Sequence, residues 1–264
     1  MSTNSQDSPP RPPVVHLMGV DLDAFTNDSL PSFVAAELAA GRGGWVVTPN
    51  LEILRRCATN TDERALVARA TVRVPDGMPL IWASRLKRTP LPERVAGSDL
   101  IWSLTAQAAR LGHRVYFLGG NPKAAEGAAA TLLAKHPTLV IAGTHCPEFG
   151  FENDPAKIAH IADEVMRAMP DIVFVALGFP KQEHLTAAIR DAVPKAWFLG
   201  IGISFSFVTG EVQRAPMWIQ RLGFEWLHRM IQEPGRLMKR YLVDGLPFAL
   251  RLFVWSAWRG LRGN

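Results

Sequence analysis

Short apolar runs alternate with amphipathic stretches along most of this chain. Runs such as RVYFLGG (114–120) and IVFVALG (172–178) are continuously apolar. They lack the period-two alternation of a half-exposed strand, so they predict strands covered on both faces. The same reading places strands over 14–20, 45–48, 71–74, 114–118, 139–142, 171–177 and 196–199. Helical periodicity falls between them, over 30–40, 62–70, 99–111, 122–135, 155–169 and 181–192. This βα alternation predicts an α/β fold, a mainly parallel sheet with helices on both faces. Two helix starts look well marked. Asn121-Pro122 and Asp154-Pro155 each read as an N-cap followed by proline at the first helical position.

The pattern changes after Gly210. Trp218, Leu222, Trp226 and Met230 step by four and give one apolar helical stripe. Pro234-Gly235 is expected to break that helix, and a second helix is expected from about residue 236, with a further break near 245–247. The chain therefore divides into a polar, proline-rich arm over 1–13 that is predicted to be disordered, an α/β domain over 14–210, and a helical appendage over 211–264.

Charge sharpens that division. The net charge is +5, yet residues 1–210 hold 20 basic and 20 acidic side chains, while 211–264 hold nine basic and four acidic ones. Four of the eight tryptophans lie in the same last segment. A basic, Trp-rich tail on a neutral body points to an anionic surface or ligand. Nucleic acid is not expected, because the body is neutral and no recognised binding motif appears. The first residues lack the apolar core of a signal peptide. No run reaches the roughly 18 apolar residues of a spanning helix, and 248–258, the nearest to one, is interrupted by Arg251. Cys57 and Cys146 lie 89 positions apart, which is no disulfide framework and fits a reducing compartment.

Ligands of open α/β sheets bind beyond the carboxyl ends of the strands. Four loops are predicted on that rim: Thr48-Pro49-Asn50, Pro75-Asp76-Gly77, Gly119-Gly120-Asn121, and the segment from Gly178 to Gln182. The Gly119-Gly120 turn, and Gly178 with Lys181, could present backbone N–H groups and a cation to a phosphate, or simply be tight turns. Asp76, fixed between a proline and a glycine, has the placement of a general base and equally that of an ordinary turn residue. Asp21-Leu22-Asp23 has the spacing of a divalent-cation pair and also of a surface turn. The seven histidines show no paired metal spacing, and there is no G-x-S-x-G. In the tail, Arg214, Arg221, Arg229, Arg236, Lys239 and Arg240 interleave with Trp218, Trp226 and Tyr241, a mixture suited to phosphate and to a bilayer interface.

Taken in order, TPNLEIL (48–54), VPDGMPL (74–80), RVAGSDL (94–100), FLGG (117–120), ALGFPKQEHL (176–185) and the long block over 210–242 resemble the WecG/TagA/CpsF glycosyltransferases, family 26 in the usual classification. The resemblance runs from about residue 20 to residue 248. Glucosyltransferases of xanthan-type exopolysaccharide assembly belong to the same family. The resemblance implies a Rossmann-like core with a C-terminal appendage that meets the membrane and completes the active site. It implies inverting transfer from a UDP-sugar to a polyprenyl-diphosphate-linked saccharide, the donor sugar being glucose, N-acetylmannosamine or its uronic acid. It makes Asp76 the catalytic base, assigns substrate contacts to Thr48, Asn50, Arg94 and Gln182, and places the lipid diphosphate among Arg214, Arg221, Arg229, Arg236 and Arg240. No metal or other cofactor is implied, which argues against Asp21 and Asp23 as ligands. Many members carry an aspartate in G-x-x-F-D-F-x-x-G; here the segment reads GISFSFVTG, with Ser206 in that place. The expected location is cytoplasmic and peripheral, on the inner face of the cytoplasmic membrane, and a homo-oligomer is left open. The second reading of the residues is a non-catalytic, membrane-surface nucleotide- or lipid-binding subunit of a polysaccharide assembly complex.

Overall fold

The first described strands, β1 (Val14–Leu17) and β2 (Val20–Asp23), form an antiparallel hairpin. Met18 and Gly19 between them both have positive φ, as a two-residue hairpin turn requires. The single strand expected over 14–20 is therefore two short ones, because Gly19 lets the chain reverse within it. The computed structural model describes residues 10–263, and for Met217, Arg221, Leu222 and Arg236 the backbone alone. Of the arm expected over 1–13, residues 1–9 lie outside the described residues. Arg11 donates to the Thr71 carbonyl at 3.2 Å, and the Pro13 carbonyl accepts from Ala24 N–H at 2.9 Å.

Six further strands form one sheet: β3 (Gly44–Val47), β4 (Val72–Arg73), β5 (Arg114–Gly119), β6 (Val140–His145), β7 (Ile172–Ala176) and β8 (Trp197–Gly200). Their order is β4-β3-β8-β7-β5-β6, and every neighbouring pair is parallel. β3, β7 and β8 are buried along their whole length, as their unbroken apolar sequences predict. Successive side chains then feed two different cores. On β7, Val173 and Val175 join one apolar cluster, while Ile172, Phe174 and Ala176 join the other. Trp45 and Phe198 enter the first cluster; Val46, Trp197 and Leu199 enter the second. Helices Leu51–Thr59, Thr61–Ala68, Met78–Leu86, Pro155–Ala168 and Lys181–Ile189 cover the first face, together with the hairpin. Helices Ser29–Ala39, Gly97–Leu111, Ala124–Lys135 and Ser204–Thr209 cover the second. The α/β architecture read from the sequence is the one observed.

The strand order also fixes where a crevice opens. β5 sends its chain outward to the edge strand β6, whereas β7 sends its chain the other way, to β8. Connections leaving adjacent strands in opposite directions leave a gap at their carboxyl ends, the usual ligand site of such sheets. Gly119-Gly120 and Gly178 flank that gap.

Three helices of the body escaped the sequence pattern, the short Ser204–Thr209 among them. Leu51–Thr59 starts at Asn50, whose Oδ1 accepts from Ile53 N–H at 3.0 Å. Met78–Leu86 (MPLIWASRL) is nearly all apolar and so shows no polar face; it packs against both β1 and the last helix of the chain. Of the two marked starts, Asp154 caps its helix as expected, accepting from Ala156 N–H at 2.9 Å. Asn121-Pro122 does not. The helix begins at Ala124, whose N–H reaches the Asn121 carbonyl at 2.9 Å, and Lys123 has φ +69°. Proline followed by a positive-φ residue is the preferred centre of a type II turn, so this turn precedes the helix.

The segment after Gly210 is helical: Met217–Leu222, Glu225–Gln232, Pro234–Met238, a π-helical stretch Lys239–Gly245, and Leu246–Arg262. The expected stripe over 218–230 is cut at Gly223 (φ +80°), where a Cβ would meet the Met78 side chain at 2.8 Å. The expected break before the second helix is present, but that helix starts at Pro234 rather than at about residue 236. No break follows near 245–247; Pro247 lies in the first turn of the last helix, where its missing N–H is tolerated, just after the widened π turn. Phe248 and Leu252 of that helix enter the first core cluster. A Cβ at Gly260 would overlap the Leu86 carbonyl oxygen, so a side chain there would push the last helix off Met78–Leu86. No helix among the described residues is long and apolar enough to cross a membrane.

Candidate active site

Two of the sequence-selected loops and the segment carrying Arg94 meet around Asp76. Its N–H donates to the Pro49 carbonyl at 2.8 Å, and the Pro75 carbonyl accepts from Val95 N–H at 2.8 Å. The Pro-Asp-Gly turn is thus clamped between the loop carrying Thr48 and Asn50 and the segment carrying Arg94. Asn27 secures that segment, donating through Nδ2 to the Arg94 carbonyl at 2.9 Å. Part of Asp76 stays open to solvent, but desolvation dominates its carboxyl and raises its pKa to about 6. Arg94 lowers it, Glu225 and Asp99 raise it, and Arg214 lowers it. A carboxylate tuned into this range is suited to accept a proton near neutral pH.

Those four neighbours form a closed ring of charge. Arg94 donates through Nη1 to Glu225 Oε2 at 2.7 Å and through Nη2 to Asp99 Oδ2 at 3.2 Å. Arg214 donates through Nη1 to Asp99 Oδ1 at 2.6 Å and through Nε to Glu225 Oε1 at 3.3 Å. Arg94 and Asp99 belong to the body, Arg214 and Glu225 to the tail. The ring therefore ties the two together beside Asp76. Both arginines stand out in the sequence, whereas neither carboxylate does. Asp99 was within reach, because it ends the RVAGSD segment that singled out Arg94.

Thr48 is buried, and its hydroxyl donates to the Gly200 carbonyl at 3.4 Å. Gln182 is only 4% exposed, and every polar atom of its side chain is engaged. Oε1 accepts from Gly178 N–H and from Gly202 N–H, both at 3.1 Å, and Nε2 donates to Glu183 Oε1 at 2.8 Å. Gln182 thus braces the turns after β7 and β8. Glu183 beneath it is fully buried, and burial raises its carboxyl pKa to about 7. Two backbone donors expected to meet a phosphate are already used: Gly178 N–H by Gln182, and Gly120 N–H by the Ala176 carbonyl at 2.6 Å. What these turns offer is close backbone approach. At Gly119 a Cβ would come within 2.8 Å of the Ala176 carbonyl oxygen. Lys181 pairs with Glu152 at the start of its helix.

In the tail, the side chains of Arg221 and Arg236 lie outside the described residues. Arg229 lies over the Phe207 ring at 5.6 Å and Arg240 over Tyr241 at 5.8 Å. Arg214 Nη2, Arg229 Nε and Arg240 Nε are buried donors without a hydrogen-bond partner. Buried donors are costly to leave unpaired, so guanidinium groups that each keep one unpaired N–H in this segment are suited to an anion. Ser206, which stands where the resemblance expects an aspartate, donates to Glu211 Oε2 at 3.0 Å. Glu211 thereby brings a carboxylate to that position from five residues further on.

Asp21 and Asp23 are engaged separately. Asp21 pairs with His16 across the hairpin at 2.8 Å, and Asp23 accepts from Arg73 N–H at 2.8 Å. Among the described residues no cluster of three or more His, Cys, Asp or Glu side chains is placed to hold a metal ion.

The profile of the glycosyl transferase WecG/TagA/CpsF family matches residues 15–262. The chain belongs to this family. It is accordingly a glycosyltransferase. Two similar members are the N-acetylglucosaminyldiphosphoundecaprenol N-acetyl-beta-D-mannosaminyltransferases of Bacillus spizizenii and Bacillus subtilis. Each is 33% identical over 216 residues, covering 80% of this chain and 82% of the relative. The rim around Asp76 holds a carboxyl suited to accept a proton near neutral pH beside a ring of charged groups. Family membership also displaces the reading of a non-catalytic subunit.

Proposed function

We propose that this enzyme transfers a sugar from a UDP-sugar, with inversion and without a metal ion, to a saccharide carried on polyprenyl diphosphate during cell-surface or exopolysaccharide assembly. The observation that carries this reading is the charge ring, which brings Arg214 and Glu225 of the tail onto the rim beside Asp76. Asp76 takes the proton of the acceptor hydroxyl. The acceptor oxygen bonds to the anomeric carbon from the side opposite the leaving group, and the bond from that carbon to the UDP oxygen breaks. The charge built up resembles that of glycoside cleavage. Arg94 orients substrate from the ring, and Thr48 and Asn50 shape the floor of the rim. Gln182 acts as a brace holding the Gly178 turn, beside which the donor diphosphate lies with Lys181. Arg214, Arg229 and Arg240, joined by Arg221 and Arg236, hold the acceptor diphosphate. The names of the Bacillus relatives make UDP-N-acetylmannosamine and N-acetylglucosaminyl-diphosphoundecaprenol the first pair to test. UDP release should be fast with a short lipid-diphosphate-linked N-acetylglucosamine, absent without it, and unchanged in excess chelator. Acceptor-independent release, or release abolished by chelator, would refute the reading.

The tail supports a second element of the proposal, docking on the anionic inner face of the cytoplasmic membrane. Leu246, Leu250, Val254 and Trp258 step by four along the last helix, and all are exposed, as is Leu261. The opposite face of that helix, with Phe248, Leu252 and Ser256, is buried. Arg251, Arg259 and Arg262 flank the exposed stripe, and Arg262 lies 3.8 Å from the Trp258 ring centre. An exposed apolar stripe edged by arginines suits the boundary between acyl chains and anionic headgroups. Leu250→Glu with Val254→Glu should abolish co-sedimentation with anionic vesicles without unfolding the protein, because neither side chain is in the core. Undiminished sedimentation would remove the stripe from the interface.

A further inference from the structure

The loop after β6 holds a feature that neither the family motifs nor the proposed chemistry uses. Phe149 is 99% exposed, the most exposed large apolar side chain among the described residues. It stands on a short loop that touches both sides of the crevice between β5 and β7. At one end Cys146 Sγ reaches the Gly120 carbonyl oxygen at 3.4 Å. At the other, the Lys181 ammonium lies 5.1 Å from the Phe149 ring centre, and Lys181 also pairs with Glu152. The loop therefore spans from the Gly119-Gly120 turn to the start of the helix after Gly178. It carries an aromatic ring on the rim where a nucleoside diphosphate would lie.

We propose that Phe149 is the stacking platform for the donor's nucleobase, a binding residue for the planar pyrimidine with the diphosphate running inward past Lys181. This rests on the reading of the chain as a UDP-sugar-dependent transferase. Lys181 occupies one face of the ring, and the other face is open to receive a base. Phe151, two residues on, is buried in the first core cluster and anchors the loop from below. A base–aromatic stack needs no hydrogen-bond partner on the ring, so a bare phenyl group suffices.

Calorimetry on the full-length protein with UDP and with ribose 5-diphosphate separates the base from the rest of the ligand. Phe149→Ala should weaken UDP by about 5- to 150-fold, the usual worth of one stacked base. It should leave ribose 5-diphosphate unchanged, and Phe149→Trp should retain UDP affinity. An unchanged UDP affinity in Phe149→Ala overturns the inference, as does an equal loss for both ligands, which would assign Phe149 to loop shape. Failure of the wild-type protein to bind UDP would instead overturn the donor reading, and this inference with it.

Discussion

Asp76→Asn should reduce sugar transfer by about 10²–10⁴-fold while leaving the protein folded. The turn is held through backbone groups, Asp76 N–H to Pro49 and Pro75 carbonyl to Val95, and an asparagine keeps both. Among the described residues no hydrogen bond is made to the Asp76 carboxylate, so the substitution strands no partner. Asparagine has the shape of aspartate and cannot accept the proton. Binding of UDP-sugar should change little, because the proposed role of Asp76 is to act on the acceptor hydroxyl. Initial rates of UDP release, with circular dichroism as the control for folding, check this; near-normal transfer would remove Asp76 from the chemistry.

Arg214→Ala should lower transfer on the order of 10²-fold, the effect of a small misplacement of reacting groups. Arg214 bridges Asp99 of the body and Glu225 of the tail, and with it gone only Arg94 remains between two carboxylates. Two consequences follow. The tail loses one of its two charged ties beside the site. The surroundings of Asp76 become more negative, so its carboxyl pKa rises above about 6 and less of it is ionised at neutral pH. Arg214→Lys should recover only part of the activity, because an ammonium cannot reach both carboxylates as the guanidinium fork does. Glu225→Ala combined with Arg214→Ala should cost less than the two losses added, since both changes cut the same ring. Strict additivity would show that the ring does not act as a unit.

The parallel sheet was legible because buried strands need continuous apolar runs, and IVFVALG and RVYFLGG can hardly pack otherwise. Asp76 was legible as a candidate because a Pro-Asp-Gly turn at a strand end leaves the carboxylate on the rim. Its raised pKa was not, since it comes first from burial and then from Glu225 and Asp99 acting against Arg94 and Arg214, an environment that folding alone assembles. Arg94 and Glu225 are 131 positions apart, and no local pattern links them. Helix Met78–Leu86 was hidden by its own burial: covered on two sides, it has no polar face to set a period. The stripe over 218–230 misled for the opposite reason. Its period is regular, but the close approach to Met78 demands a positive-φ glycine at 223, which breaks the helix. Gln182 was placed on substrate by the resemblance, whereas its side chain is occupied by Gly178, Gly202 and Glu183.

On the proposed mechanism, Asp76 is the base of a site whose electrostatics the tail completes. The most direct test is the pH dependence of kcat/KM for wild type and Glu225→Gln, measured side by side. A base must be ionised to act, so activity should rise with pH through an apparent pKa of about 6 and level off above it. Glu225 raises the Asp76 pKa, so its neutralisation should move that limb to lower pH. An acidic limb that stays in place in Glu225→Gln would uncouple Glu225 from the base, and a profile flat between about pH 5 and 7 would rule Asp76 out as that base.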